Sequence, residues 1–264
     1  MSKTMKIYGE SDRSSGMQAP RWNLNDGRTH IGAWSSLRDP LSIDLLAAEG
    51  FDWICIDAQH GGAELADLQT LVQAAHLFSV PTAVRVAGHD AGMIGRVVDA
   101  GAAAIIVPTV EDETTAAALV SSCRFAPRGT RSYGPTRLSP RYPKPAPGNV
   151  EADPLCILMI ETASGLRNLD AILATQPDGI FVGPYDLSLS LGIDLEVLLG
   201  AGSDGMLADI ARRCERAGVV PGVYAGEADL AKRMANLGYR FMPIASDTSL
   251  LAVAARNIVA SVKG

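Results

Sequence analysis

The sequence predicts an α/β fold, a single-domain (β/α)8 TIM barrel, and three observations carry that prediction. Eight short apolar, β-branched runs alternate with Ala- and Leu-rich segments of helical spacing. Both faces of the runs are apolar, as parallel strands covered by helices require; half-exposed antiparallel strands would alternate with polar residues. Several runs end in a carboxylate or a guanidinium, at the strand ends where such barrels keep their chemistry. The length of 264 residues, with 47% hydrophobic content and 26 glycines, is about what one barrel needs. A doubly wound sheet with one long excursion would give a similar string of elements and is the competing architecture.

Taken in order, the predicted strands are Ile31–Trp34, Trp53–Asp57, Thr82–Val86, Ala104–Pro108, Cys156–Glu161, Gly179–Gly183, Val219–Tyr224 and Phe241–Ala245. The predicted helices are Pro40–Glu49, Leu65–Phe78, Ala91–Ala100, Glu113–Ser122, Leu166–Ala174, Asp204–Ala217 and Ala228–Leu237. Gly50, Gly101, Gly218 and Gly238 close four of them, where a left-handed C-terminal cap favours glycine. Residues 1–20 are polar and without periodicity, and are expected to form a flexible arm ahead of a domain spanning 21–264. Arg124–Asn149 holds six of the fifteen prolines and five arginines, so it is no ordinary crossover helix. It is expected to be a long, stiffened loop that covers the barrel mouth or braces a neighbouring subunit.

Composition excludes several function classes. The net charge of −6 comes from 29 acids and 23 bases spread along the chain, with no basic run to track a phosphate backbone, so nucleic acid is not an expected partner. The opening MSKTMKIYGESDRSSG lacks an apolar core of signal-peptide length, and no stretch approaches the ~20 apolar residues of a membrane span. The expectation is a soluble, cytoplasmic protein without membrane contact. Cys55, Cys123, Cys156 and Cys214 are widely separated and read as reduced core residues. The five lysines, at positions 3, 6, 144, 232 and 263, fall on no predicted strand, which disfavours Schiff-base and pyridoxal-phosphate chemistry. Phosphate-binding loops, dinucleotide fingerprints and Cys/His clusters of zinc spacing are absent from the sequence.

The run ends carry Trp34, Asp57, Arg85, Pro108, Glu161, Gly183 with Asp186, Tyr224 and, nearby, Asp247. Glu161 and Asp186 are hard oxygen donors suited to Mg²⁺ or Mn²⁺, in a pair that leaves positions for water and substrate. A helix cap plus an ion pair with Arg85 is the structural alternative. Asp57 stands three residues before His60, a spacing in which a carboxylate can fix the tautomer of a general base. Capping by Asp57, with an exposed His60, is the other reading. Arg85 lies in the apolar strand Ala83-Val84-Arg85-Val86 and needs an anion there. A substrate carboxylate or a developing enolate oxygen would serve, and so would an acid of the barrel itself. His30, His76 and His89 are weaker candidates by position.

These residues resemble the HpcH/HpaI aldolases, metal-dependent class II pyruvate aldolases related to 2-keto-3-deoxy sugar-acid and 4-hydroxy-2-oxoheptanedioate aldolases. The likeness runs from about Gly32 to Asp247, through Gly32-Ala33-Trp34, Phe51-Asp52-Trp53, Asp57-x-x-His60, Val84-Arg85-Val86 and Asp99-Ala100-Gly101-Ala102. It continues through Val107-Pro108, Pro127-x-Gly129-x-Arg131, Ile160-Glu161-Thr162 and Phe181-x-Gly183-Pro184-x-Asp186-Leu187-Ser188.

The resemblance implies reversible aldol cleavage of a 4-hydroxy-2-oxo acid to pyruvate and an aldehyde. It implies a divalent cation, Mg²⁺ or Mn²⁺ and in some members Co²⁺ or Zn²⁺, held by Glu161 and Asp186. His60 supported by Asp57 is the implied base, and Arg85 the implied partner of the keto oxygen. Gly183, Pro184 and Tyr185 would cradle the pyruvate carboxylate, Trp34 would line the pocket, and Asp99 would lie near a subunit boundary of a homo-oligomer, commonly a hexamer. Acyl-CoA lyases of the citrate and malyl-CoA type, and oxaloacetate decarboxylating relatives, share the scaffold and are the alternatives. Two positions depart from the common pattern. Gln59 stands where many members have Glu, and Met159 where many have Gln two residues before the metal-binding Glu.

Overall fold

The computed structural model describes residues 20–134 and 153–263. Among them, eight parallel strands close into a barrel in chain order. The strands are β1 His30–Ser35, β2 Trp53–Asp57, β3 Thr82–Arg85, β4 Ala104–Val107, β5 Leu155–Ile160, β6 Gly179–Val182, β7 Val220–Val223 and β8 Phe241–Ser246. All eight predicted strands are present, with ends displaced by one or two residues at most. The predicted arm lies outside the described residues except for Pro20.

Alternation along the strands sorts side chains into two cores. Trp34, Trp53, Cys55, Ala83, Ala104, Ile106, Ile157, Met159, Phe181, Val220 and Phe241 point inward and fill the lumen. Their neighbours, such as Ile54, Ile56, Val84, Ile105, Leu158, Ile160 and Ile180, point outward against the helices. Large and small residues interlock: a side chain at Gly32 would collide with the Trp53 ring. The N-terminal end of the lumen is closed by Trp22, which stacks on Trp53 at 4.6 Å and meets Phe241 edge-on at 5.7 Å.

The helices are α1 Pro40–Ala48, α2 Leu68–Leu77, α3 Ala91–Asp99, α4 Glu113–Ser122, α5 Ala163–Arg167, α6 Leu169–Ala174, α7 Pro184–Leu191, α8 Leu195–Gly200, α9 Met206–Ala217, α10 Ala228–Asn236 and α11 Asp247–Lys263. Side chains of Asp39, Asp90, Asp112 and Thr162 cap α1, α3, α4 and α5. Gly50, Gly101, Gly218 and Gly238 take φ of 85°, 102°, 70° and 107°, as predicted for helix ends. The segment predicted as one helix to Ala174 is two, broken at Asn168, and α9 starts at Met206 after a 3-10 turn over Gly202–Asp204. Three helices were not predicted: α7, α8 and α11. In α7 the Gly-Pro pair that signals a turn is instead a helix start, with Pro184 in the first turn.

Residues 135–149 of the proline-rich segment lie outside the described residues. Its described part runs along the N-terminal end of the barrel, opposite the strand C-termini. There Arg124 binds Asp178 at 2.8 Å and the Pro154 carbonyl, Arg131 pairs with Asp99 at 2.7 Å, and Arg128 pairs with Asp153. Residues 124–134 therefore do not cover this barrel's own mouth. All four cysteines are free and buried. Among the described residues, no helix is long and apolar enough to cross a membrane.

The last helix departs from the pattern of its predecessors. Asp247 is buried and accepts from Ser35 Oγ and the backbone N–H groups of Ser36 and Leu37 at 2.9–3.0 Å, which ties the start of α11 to the end of β1. Beyond it every described residue of α11 is exposed, including Leu250, Leu251, Val253, Ile258, Val259 and Val262. At the start of β1 the outward-facing Ile31 is 38% exposed, while Ala33 and Ser35 further along that face are buried.

Trp22→Ala, which opens the N-terminal end of the lumen, is expected to cost roughly 3 kcal/mol, at the lower end for a buried aromatic truncation. The midpoint of urea unfolding measures it.

Candidate active site

The C-terminal ends of β2 and β3 place Asp57 and Arg85 as direct partners across the parallel pair. Arg85 grips Asp57 through two parallel hydrogen bonds, Nε to Oδ1 at 2.9 Å and Nη2 to Oδ2 at 2.6 Å. Trp34 Nε1 donates to Oδ2 at 3.2 Å, and the guanidinium lies over the Trp34 ring at 4.9 Å. Trp34 in turn stacks on Phe181 and meets Tyr224 edge-on. Burial pushes the Asp57 carboxyl up, yet the hydrogen bond and charge of Arg85, with Trp34 and the His60 N–H, outweigh it and hold it below its ordinary value. Arg85 is displaced upward against its own burial by the same partner.

The predicted support of the His60 imidazole by Asp57 is not what the structure contains. Asp57 Oδ1 accepts the backbone N–H groups of Gln59 and His60 at 3.1 and 3.2 Å, and its remaining capacity goes to Arg85 and Trp34. Asp57 therefore shapes the turn that sets His60 on the rim, exposed to solvent, without gripping the ring.

Opposite this pair, Glu161 follows β5 and is only 5% exposed. Its Oε1 accepts both the Thr109 N–H at 2.8 Å and the Thr109 hydroxyl at 3.1 Å. Oε2 lies against Gly183, where a side chain would come within 2.8 Å of it, and has no hydrogen-bond partner among the described residues. Burial is the largest influence on Glu161 and raises it; Thr109 opposes that, Asp186 adds repulsion, and Arg85 offers a weaker counter-pull. Asp186 sits in the first turn of α7, so the predicted loop position is a helical one.

Beside Glu161 opens a cleft of about 450 Å³ lined by Gln59, His60, Thr109, Glu161, Asp186 and Ser190, among others. Trp34 and Met159 lie in the lumen core, 4% and 2% exposed, and do not line the cleft. Gly183 and Pro184 are buried and Tyr185 is 57% exposed, its ring 6.4 Å from Tyr224. Asp99 ends α3 at the opposite end of the barrel, paired with Arg131, and does not join this chain's own cleft. Asp247 is consumed by its loop contacts, His30 pairs with Asp26, and His89 contacts the Pro108 carbonyl at 2.8 Å. Thr109 and Ser190 were missed by sequence reasoning; the Val107-Pro108 motif pointed at the first, and nothing short of recognising α7 points at the second.

The donor set fits a divalent cation. Two carboxylates repel one another in one cleft, one of them is buried with a free oxygen, and no lysine is among the described residues that line it. Among the described residues no third His, Cys, Asp or Glu joins them as a ready ligand. Further positions on such an ion would fall to water or substrate.

Comparison with known proteins gives consistent findings. Residues 30–254 match the HpcH/HpaI aldolase/citrate lyase family. The chain is 34% identical to a hydroxypyruvate/pyruvate aldolase of Deinococcus radiodurans over 91% of this chain and 88% of that protein. It is 37% identical to a 4-hydroxy-2-oxovalerate aldolase of Rhodococcus jostii over 87% of this chain and 90% of that one. A solved HpcH/HpaI aldolase/citrate lyase family protein from Burkholderia cenocepacia superposes with a TM-score of 0.79 at 29% identity, covering 91% of this chain and 97% of that one.

Asp57→Asn leaves the Arg85 charge in the barrel without its anion and is expected to cost about 3–5 kcal/mol at neutral pH. Because the folded carboxyl lies below its ordinary value of 3.8, the contribution is complete well above that value and is lost as pH falls through it. Urea midpoints of parent and variant should therefore differ most at pH 7 and converge on acidification.

Proposed function

The chain belongs to the HpcH/HpaI aldolase/citrate lyase family, which makes it a carbon–carbon lyase, and on that footing we propose reversible aldol cleavage of a 4-hydroxy-2-oxo acid to pyruvate and an aldehyde. The observation that carries the reading is two carboxylates, Glu161 and Asp186, lining one cleft, with Arg85, oriented by its own anion, near enough for its charge to act on Glu161. Relatives named for aldol cleavage of hydroxy-oxo acids support the substrate class.

In this reading Glu161 and Asp186 hold the ion, Mg²⁺ or Mn²⁺, with Co²⁺ or Zn²⁺ as substitutes. When bound, such an ion supplies positive charge beside the carboxylate and keto oxygens of the 2-oxo acid. The protein's own groups do the rest. The first-turn N–H groups of Tyr185 and Asp186 have no helical acceptor and, following Gly183 and Pro184, suit the substrate carboxylate. His60 accepts the proton of the 4-hydroxyl, the C4–O–H electrons form the aldehyde carbonyl, and the C3–C4 bond breaks toward C2. The negative charge reaches the C2 oxygen, where Arg85 donors not used by Asp57 stabilise it. Return of the proton from His60 to C3 then gives pyruvate and restores the base. Trp34 holds the guanidinium from below, and Asp99 serves a site only across a subunit boundary.

The same reading includes assembly of identical chains, the hexamer that the resemblance implies. The exposed apolar face of α11 and the part-exposed Ile31 on β1 support it: α11 leaves its apolar side chains unpacked on its own barrel, and a second copy's helix is the complementary cover. Leu41 and Leu45 on α1, 61% and 62% exposed, extend that bare surface.

Pyruvate release from 4-hydroxy-2-oxo acids should require a divalent ion and stop with EDTA; Glu161→Ala and Asp186→Ala should each lower it by more than about 100-fold. Chelator-insensitive turnover would sink the metal reading. For the assembly, Ile258→Glu with Val262→Glu should shift the sedimentation coefficient to that of a smaller species without loss of helicity. An unchanged sedimentation coefficient would show that α11 holds no copies together.

A further inference from the structure

Thr109 occupies a backbone conformation that its type avoids. Three described non-glycine residues have positive φ: Ser79 at 59°, Gln176 at 56° and Thr109 at 54°. Ser79 and Gln176 each directly follow a helix cap residue, after α2 and α6, where the left-handed conformation ends the helix. Thr109 has no such reason. It follows β4, three residues before the cap of α4, and its Cβ is branched, which makes the left-handed region unfavourable.

The surroundings hold it there from both sides. His89 bonds the carbonyl of Pro108 at 2.8 Å, and the Val110 N–H bonds the carbonyl of Met159 on β5 at 3.3 Å. What the conformation achieves is directional: the Thr109 N–H and hydroxyl converge on the same oxygen, Glu161 Oε1, at 2.8 and 3.1 Å. Such strain persists where neighbouring contacts over-determine it, and it concentrates at functional sites.

We propose that Thr109 is a positioning residue that occupies Oε1 of Glu161 with two donors and thereby presents Oε2 alone to the divalent ion. This deepens the metal reading above and rests on it. A doubly hydrogen-bonded Oε1 is a poor ligand, so Glu161 binds through one oxygen with its rotation about the terminal torsion arrested. Glu161 would then offer a divalent ion a carboxylate that needs no reordering.

The test measures Mn²⁺ binding to metal-free protein by calorimetry, without substrate, for the parent, Thr109→Val, Thr109→Ser and Glu161→Ala. Valine keeps shape and backbone N–H but deletes the hydroxyl; the expected result is roughly 10-fold weaker Mn²⁺ affinity with the melting temperature in EDTA retained. Serine restores the hydroxyl and should restore affinity to within about 2-fold of the parent. Parent-like Mn²⁺ affinity in Thr109→Val, beside loss of binding in Glu161→Ala, overturns the role of Thr109 and leaves the metal reading standing. No Mn²⁺ binding by the parent overturns both.

Discussion

The ion pair between Asp57 and Arg85 is the interaction on which the barrel mouth depends. Each group alone would be costly among apolar strand residues, and together they are held by a fork geometry that only arginine offers a carboxylate. One carboxylate then sets three positions. It fixes the guanidinium over Trp34, it draws the Trp34 indole N–H into the site floor, and it folds the turn that carries His60. A buried pair of this kind need not add much stability compared with an apolar substitute. Its value is orientation, because an arginine already neutralised by one anion offers its remaining N–H groups in a fixed direction.

That neutralisation divides the mouth electrically. The β2–β3 side is balanced, with one positive and one negative group in contact. The side built from β5 and α7 is anionic, with Glu161 and Asp186 and no cationic side chain among the described residues that line the cleft. Arg85 relieves Glu161 only weakly because Asp57 already holds it. The result is a local field that attracts a small, hard cation to one wall and leaves an oriented donor on the other. A 2-oxo acid has the matching form, with two oxygens to share with a cation and a keto oxygen that must carry charge.

How much of this was legible in the sequence follows from which contacts are local. The strands could be read because a parallel strand buried on both faces is written as a continuous apolar run, and Glu161 and Arg85 stand out against such runs. The partner of Asp57 could not be read from spacing. His60 is three residues away and Arg85 twenty-eight, yet strand register decides the contact. Helix α7 was hidden because Gly183-Pro184 signals a turn as well as a helix start. The exposure of α11 was hidden too, since its apolar residues suit packing against its own barrel equally well. Val107-Pro108 points at the strand end that carries Thr109, but its conformation was beyond reach, because no local signal announces a β-branched residue at positive φ.

Met159 gains a consequence from this geometry. Met159 fills the lumen beneath Gly183 with a thioether, so the floor under Glu161 is apolar where a polar side chain would have solvated it. An apolar floor strengthens the desolvation that raises Glu161. It also removes one local means of orienting the carboxylate. Orientation then falls to the adjacent strand, through the Thr109 pair of donors and through the bond from Val110 N–H to the carbonyl of Met159 itself. The backbone of residue 159 thus anchors the turn that does what its side chain does not. A carboxylate raised by burial and aimed by a strained turn is poorly matched to water and well matched to a cation, which is the condition a metal-binding acid has to meet.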